Sequence, residues 1–233
     1  MAAPPVARPG TGSPAVEVRP LGPTLESTIA PFVKETPPWK RAMDVVGAAA
    51  GLTVLFPVLV LIGLAVMLDS RGGPLFGQTR VGKGGRTFTC WKFRSMVRDA
   101  ESLQAALLDQ NEAHGHIFKM KDDPRRTRVG RFLRKTSLDE LPQLWNVLLG
   151  EMSLVGPRPP LPSEVARYER HQLFRLTVAP GITGLWQVTL RGQHDFADMV
   201  ALDVAYARKL RLRDDLRILW RTVGTVLRGS GSC

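Results

Sequence analysis

The chain has 233 residues, room for one catalytic-sized domain and a tail. Its 32 Lys and Arg against 21 Asp and Glu give a formal charge of +11, which points to anionic partners: phospholipid, nucleotide, phosphate or nucleic acid. Two cysteines, Cys90 and Cys233, exclude a disulfide framework and fit a reducing compartment, and the opening residues lack the pattern of a cleavable signal peptide.

Residues 1–38 hold nine of the 18 prolines without an apolar period and read as a disordered tail. A run of 24 uncharged residues then lies between Asp44 and Asp69, with Pro57 near its middle. Straight, it would rise about 36 Å, enough for a hydrocarbon core of about 30 Å. Broken at Pro57, each arm would reach only about 16–18 Å. Lys40 and Arg41 precede the run, and Arg71, Arg80, Lys83 and Arg86 follow it. Basic flanks favour the cytoplasmic side, so a re-entrant segment over 39–70 that dips in and returns satisfies both. A kinked spanning helix is the alternative, and a buried core helix of a soluble protein is a third that the all-round apolar run disfavours. Trp39 suits an interfacial anchor.

Residues 74–93 predict a β-hairpin turning at Gly82-Lys83-Gly84-Gly85, a turn without phosphate-loop spacing. Helical spacing recurs over 97–110, over 138–149 with Gly150 as its stop, over 163–177 and over 213–228. The last segment sets Leu216, Leu219, Trp220, Val223 and Leu227 against Arg213, Arg217, Arg221 and Arg228. It suits an anionic membrane surface, or equally a core-packed helix with a solvated basic face. The expected fold is α+β, mostly helical with a small β-hairpin: a membrane helix, amphipathic interfacial helices, a catalytic domain over 71–228 and a flexible end over 229–233.

Eight Lys/Arg lie between Ile117 and Lys135 and run into Ser137-Leu138-Asp139-Glu140-Leu141-Pro142. Ser137-x-x-Glu140 matches a capping box, and on that pattern alone the two acids read as helix caps. Pro142 disturbs a helix begun at Leu138, or else Asp139 is itself the N-cap. Two carboxylates beside a basic stretch suit phosphoryl chemistry. A carboxylate can be the nucleophile, arginines can stabilise the phosphoryl group, and Mg²⁺ favours carboxylate and phosphate oxygens. In Gly156-Pro157-Arg158-Pro159-Pro160, prolines on both sides restrict Arg158 and would suit a rigid guanidinium fork, though the segment alone reads better as a proline-rich connector with one solvated arginine. The segment from Pro180 to Val188 is rich in turn residues and ends near Arg191. His114 and His116 match no metal-ligand spacing.

Together these segments resemble the bacterial sugar transferase family, the monotopic polyprenyl-phosphate phosphoglycosyl transferases. The resemblance runs from about Lys40 to Leu227 and rests on KRAMDVV, LDSRGGPLFGQTRVGKGGRTFTCWKFRSM, KMKDDPRRTRVGRFLRKTSLDELPQLWNVLLGEMSLVGPRP, PGITGLWQV and DDLRILWRTV. It implies transfer of a sugar 1-phosphate from a UDP-sugar to a polyprenyl phosphate with release of UMP. It implies Asp139 as nucleophile and Glu140 as its partner near Mg²⁺. It further implies Lys92, Arg94, Arg134, Arg158, Gln187 and Arg191 as phosphate and substrate residues, with Pro57, Pro142, Pro157 and Pro159 as structural ones. The implied place is the cytoplasmic face of the bacterial inner membrane, with anionic lipid as a further partner, no nucleic acid, and a surface that favours self-association. Phe56-Pro57 stands where a Ser-Pro pair is typical, and Thr189-Leu190-Arg191 where Ser-Gly-Arg is common. A non-catalytic, membrane-tethered basic binding module is the rival reading.

Overall fold

A computed structural model describes residues 23–70, 72–104, 107, 120, 122–190 and 195–227. Order begins earlier than composition suggests. The expected tail gives way to helix α1 (Pro23–Ile29) and a 3-10 turn, Ala30–Phe32. Ile29 supplies the reason: it is buried with Val81, Val165 and Leu176. Helix α2 (Pro38–Asp69) carries the uncharged run and continues through Pro57 as one element, without the expected break. One stripe of it is domain core, which an all-round apolar run conceals. Ala48 packs with Cys90, Leu144, Val147 and Met152, while Ile62 and Val66 pack with Phe93 and Leu133. The rest faces outward, with Val54 75% and Phe56 64% exposed.

The predicted hairpin is present. Strand β1 (Leu75–Val81) pairs antiparallel with β2 (Thr87–Phe93), from Leu75↔Phe93 to Val81↔Thr87. Within the predicted 97–110 helix, Ala100–Gln104 forms α3. Helix α4 (Arg128–Thr136) follows, its first turn capped by the Thr127 side chain on Gly130 N–H. Gly130 is required there, since a Cβ would lie 2.0 Å from Ser95 O. The segment after β2 therefore passes against the first turn of α4.

Helix α5 (Gln143–Leu149) starts after Pro142 and stops at Gly150 (φ 84), the predicted stop. Strand β3 (Ser153–Val155) pairs parallel with β4 (Gly181–Thr183), a second small sheet absent from the sequence reading. A Cβ on Gly181 would meet Gly156 N at 2.0 Å, so these two backbones touch only because neither position bears a side chain. The single helix expected over 163–177 is instead α6 (Pro162–Val165) and a 3-10 segment, Gln172–Thr177. Its Arg175 is drawn into a buried ion pair with Asp203, a tertiary contact that outweighs local helical spacing. After α7 (Leu185–Thr189) comes α8 (Phe196–Arg208), which the sequence reading missed, and then α9 (Leu212–Leu227) as expected.

Helix α9 is packed against the domain on one side. Asp215 and Ile218 are buried on its inner face, while Leu212, Leu216, Trp220 and Val223 form an exposed apolar stripe. The inner face belongs to a buried network. Lys40 Nζ donates to Asp215 Oδ2 at 2.6 Å, Val155 O at 2.9 Å and Tyr206 OH at 3.0 Å, and Tyr206 OH donates to Asp215 Oδ1 at 2.8 Å. Nearby, Asp44 Oδ1 accepts from Ser153 Oγ and Leu154 N–H, and Arg41 forks onto the carbonyls of Val147 and Leu148. At the far end of α2, Asp69 Oδ2 accepts from Val129 N–H in the first turn of α4. Both ends of the apolar helix are thus tied to one domain.

Candidate active site

The acidic pair does not cap a helix. Ser137 is left-handed (φ 56) and makes no capping bond, and Leu138–Glu140 forms a 3-10 turn between α4 and α5, so the predicted capping box is absent. Asp139 is not an N-cap either, because Pro142 occupies that position for α5. The kink separates the two side chains chemically. Asp139 turns inward, 6% exposed, while Glu140 accepts from Lys92 Nζ at 2.6 Å. Both members of that ion pair are about a quarter exposed (22% and 26%).

The distance between Lys92 and Glu140 is fixed by Asn146, which is wholly buried on α5. Its Nδ2 donates to Thr89 O and its Oδ1 accepts from Trp91 N–H, so α5 is bonded directly to β2, the strand that carries Lys92. The environment drives the two acids apart. Burial raises the Asp139 carboxyl above the usual range, aided by the Glu140 charge and opposed by Lys92 and Arg134. Burial would also raise Glu140, but the charge and hydrogen bond of Lys92, with Arg158 and Arg80 adding, hold it below its ordinary value. The two carboxyls are thus shifted in opposite directions, with the anion favoured at Glu140 and disfavoured at Asp139. Arg134 stands close enough to Asp139 for the two charges to interact, and burial depresses its own pKa.

The Pro-Arg-Pro segment is held by its oxygens. Pro157, Pro159 and Pro160 have no N–H, so carbonyls are the handles this stretch offers. Four consecutive ones are taken. Pro157 O accepts from Gly181 N–H, Arg158 O from Arg175 Nη2, Pro159 O from Arg80 Nη1 and Pro160 O from Val81 N–H, at 2.8, 3.2, 2.9 and 2.9 Å. Arg175 is itself held by Tyr168 OH and by the buried carboxylate of Asp203, which burial pushes up to about 6 against the pull of Arg175.

Lys92, Arg134, Asp139, Glu140 and Arg158 lie near enough for their charges to interact. Arg94 does not join them by contact: its Nε donates to Gly73 O and its guanidinium lies over Gly72. Gln187 turns back onto its own segment, with Nε2 donating to Ile182 O at 3.4 Å. Arg191, His114 and His116 lie outside the described residues. Sequence reasoning missed Gln78, Arg80, Asn146, Arg175 and Asp203 as parts of the site's support. A buried polar residue that serves a partner far along the chain leaves no local signal.

Among the described residues no group of three or more His, Cys, Asp or Glu converges to hold a metal. Asp139 and Glu140 are two carboxylates in adjacent positions, and Mg²⁺ binds through one or two carboxylates where substrate phosphates complete its shell. A cavity of about 540 Å³ between α1, the Gln172–Thr177 segment and α8 is lined mainly by apolar side chains and contains none of these acids.

Residues 35–229 match the family model described as bacterial sugar transferase. The galactosyl transferase CpsE of Streptococcus agalactiae serotype III is 47% identical over 195 residues, 83% of this chain and 43% of that protein. The undecaprenyl-phosphate galactose phosphotransferase of Salmonella typhimurium is 44% identical over 199 residues, 83% of this chain and 41% of that protein. The exopolysaccharide production protein ExoY of Rhizobium meliloti is 39% identical over 197 residues, 83% of this chain and 87% of that protein. The chain thus spans less than half the length of the first two and most of the third.

Proposed function

Because this chain belongs to the bacterial sugar transferase family, we propose that it transfers a sugar 1-phosphate from a UDP-sugar to a polyprenyl phosphate, releasing UMP. The observation that carries the reading is the split acidic pair: a buried, basic Asp139 beside Arg134, and a Glu140 kept ionised by Lys92. The reaction is the first membrane step of exopolysaccharide, O-antigen or glycoconjugate assembly. Relatives named for undecaprenyl-phosphate galactose and glucose transfer support that substrate pair.

In the proposed chemistry the Asp139 carboxylate attacks the phosphorus next to the sugar. The bond to the UMP oxygen breaks, UMP leaves, and the sugar phosphate rests on Asp139 as an acyl phosphate. A polyprenyl phosphate oxygen then attacks the same phosphorus, the Asp139 carboxylate departs, and a polyprenyl diphosphate sugar forms. Lys92, Arg134 and Arg158 offset negative charge around the phosphoryl group. Mg²⁺ held by Asp139 and Glu140 would supply further neutralisation of the diphosphate when bound.

The membrane arrangement follows from the tied ends of α2. A Cβ on Gly51 would lie 3.2 Å from Leu144, and one on Gly63 would lie 3.8 Å from Pro74. The interval between these two domain contacts rises only about 18 Å, against a hydrocarbon core of about 30 Å. Contacts to one domain at both points support a helix that stays on one side of the bilayer, which we assign to the cytoplasmic face of the inner membrane, with the active site at the surface. Exposed Phe132, Trp145 and Leu149 on α4 and α5, and the apolar stripe of α9 among Arg213, Arg217 and Arg221, support shallow contact with anionic lipid.

The test is UMP release from a panel of UDP-sugars with Mg²⁺ and undecaprenyl phosphate. Lipid-dependent release beyond one equivalent per chain, with one sugar preferred, is expected; none across the panel would overturn the reading. A pH profile adds a second check. The attacking form of Asp139 is ionised and is lost as pH falls through its raised pKa. The acid limb should therefore lie above the ordinary carboxylate value of about 4. Lys92 opposes that rise, so Lys92→Gln should carry the limb to still higher pH. A limb that stays put would show that Asp139 does not set it.

A further inference from the structure

We propose that Arg80 is a positioning residue for the transfer: it grips the Pro157–Pro160 backbone and thereby aims the Arg158 guanidinium at the acidic pair. The inference rests on the function proposed above. Arg80 sits near the end of β1 and is 6% exposed, yet it forms no ion pair among the described residues. Its Nη1 donates to Pro159 O at 2.9 Å, and its Nε and Nη2 both donate to Gln78 Oε1, at 3.1 and 2.6 Å. Every hydrogen bond of this buried cation therefore ends on a neutral oxygen.

That is an unusual way to bury a charge. Arginines are seldom fully buried without an acidic partner, because desolvation must be offset. Here a second cation is also near: burial, and then the Arg158 charge, bring the Arg80 pKa down to about 10. A cation that only filled space would be better replaced by an apolar residue. The arrangement is reasonable where the cation performs a mechanical task in a site that receives an anion. Glu140, which feels both arginines, provides one negative charge, and a diphosphate would provide more.

The mechanical task is visible in the register. Arg80 and Val81 are consecutive and bond consecutive carbonyls, Pro159 O by a side chain and Pro160 O by a backbone N–H. The end of β1 thus clamps the residues directly after Arg158. Gln78, two residues back on the same strand, orients the clamp by accepting two of its N–H groups. Arg80 acts through Arg158, so its contribution should vanish once Arg158 has no guanidinium to aim.

A double-mutant comparison tests this. The variants are Arg80→Lys, Gln78→Ala, Arg158→Ala and the two doubles with Arg158→Ala, assayed by UMP release for kcat and KM. Arg80→Lys is expected to lower kcat about 10–100-fold, and Gln78→Ala about 3–10-fold, with KM for the UDP-sugar within about threefold. In the Arg158→Ala background both losses should shrink to within about twofold. Losses of equal size in the two backgrounds overturn the inference while leaving the proposed function standing. An inactive wild type removes both. If Arg80→Lys does not fold, as judged by thermal melting, Gln78→Ala keeps the guanidinium and decides alone.

Discussion

Asp139→Asn is expected to lower UMP release by about 10⁴-fold or more. Asparagine matches aspartate in shape, so the packing of a residue only 6% exposed is kept while the attacking anion is lost. The fold should be at least as stable as before, because burial disfavours the ionised carboxyl that the substitution removes. Two measurements separate chemistry from folding. Thermal melting should show no loss, and mass spectrometry after incubation with the UDP-sugar should show a phosphosugar adduct on the wild type and none on the variant. Glu140→Gln should differ from it. It leaves Lys92 without its ion-pair partner but keeps Asp139, so an adduct should still form, more slowly. Full turnover by Asp139→Asn would falsify the assignment of the nucleophile.

Lys40→Met carries the largest expected cost in stability. Lys40 and Asp215 are 2% and 0% exposed, and Tyr206 OH joins them, accepting from Lys40 Nζ and donating to Asp215 Oδ1. Removing the ammonium leaves a buried carboxylate uncompensated, which costs about 3–5 kcal/mol. Total domain stability is about 5–15 kcal/mol, so the variant should melt far below the wild type or fail to accumulate. Adding Asp215→Leu should recover most of the loss, because an apolar pair can replace a buried ion pair without leaving a charge behind. Urea titration of the protein in detergent reads both effects. A Lys40→Met midpoint equal to that of the wild type would show that the network does not hold the domain to α2.

The hairpin, α9 and the stop at Gly150 were legible because each depends on neighbours in sequence: alternation, helical spacing, a glycine at φ 84. The chemistry-bearing cluster was legible too, since Asp139, Glu140 and the basic stretch are contiguous and Lys92 lies on a recognisable strand. What stayed hidden depends on distant partners. Arg80 looks like one more flanking cation until Pro159, 79 residues away, occupies it. Asp203 interrupts the apolar stripe of α8 and so masks that helix, yet it is there to meet Arg175. The left-handed Ser137 converts a sequence that spells a capping box into a 3-10 turn. The early part of the chain differs for a related reason: Leu25 and Ile29 stand in a proline-rich stretch without an apolar period, and the burial of Ile29 depends on Val81, Val165 and Leu176.

The bond between Lys40 and Asp215 spans 175 residues. At a ribosomal pace of about 5–20 residues per second, roughly 10–35 s separate the synthesis of its two ends. During that interval α2 is already made and already apolar enough to partition into lipid, but the partner that neutralises Lys40 does not yet exist. Helix α2 is therefore complete before the domain that packs on it can close. A chain that stops short of α9 keeps a lysine with no acid to receive it, so the making of α9 is itself the condition for a satisfied core.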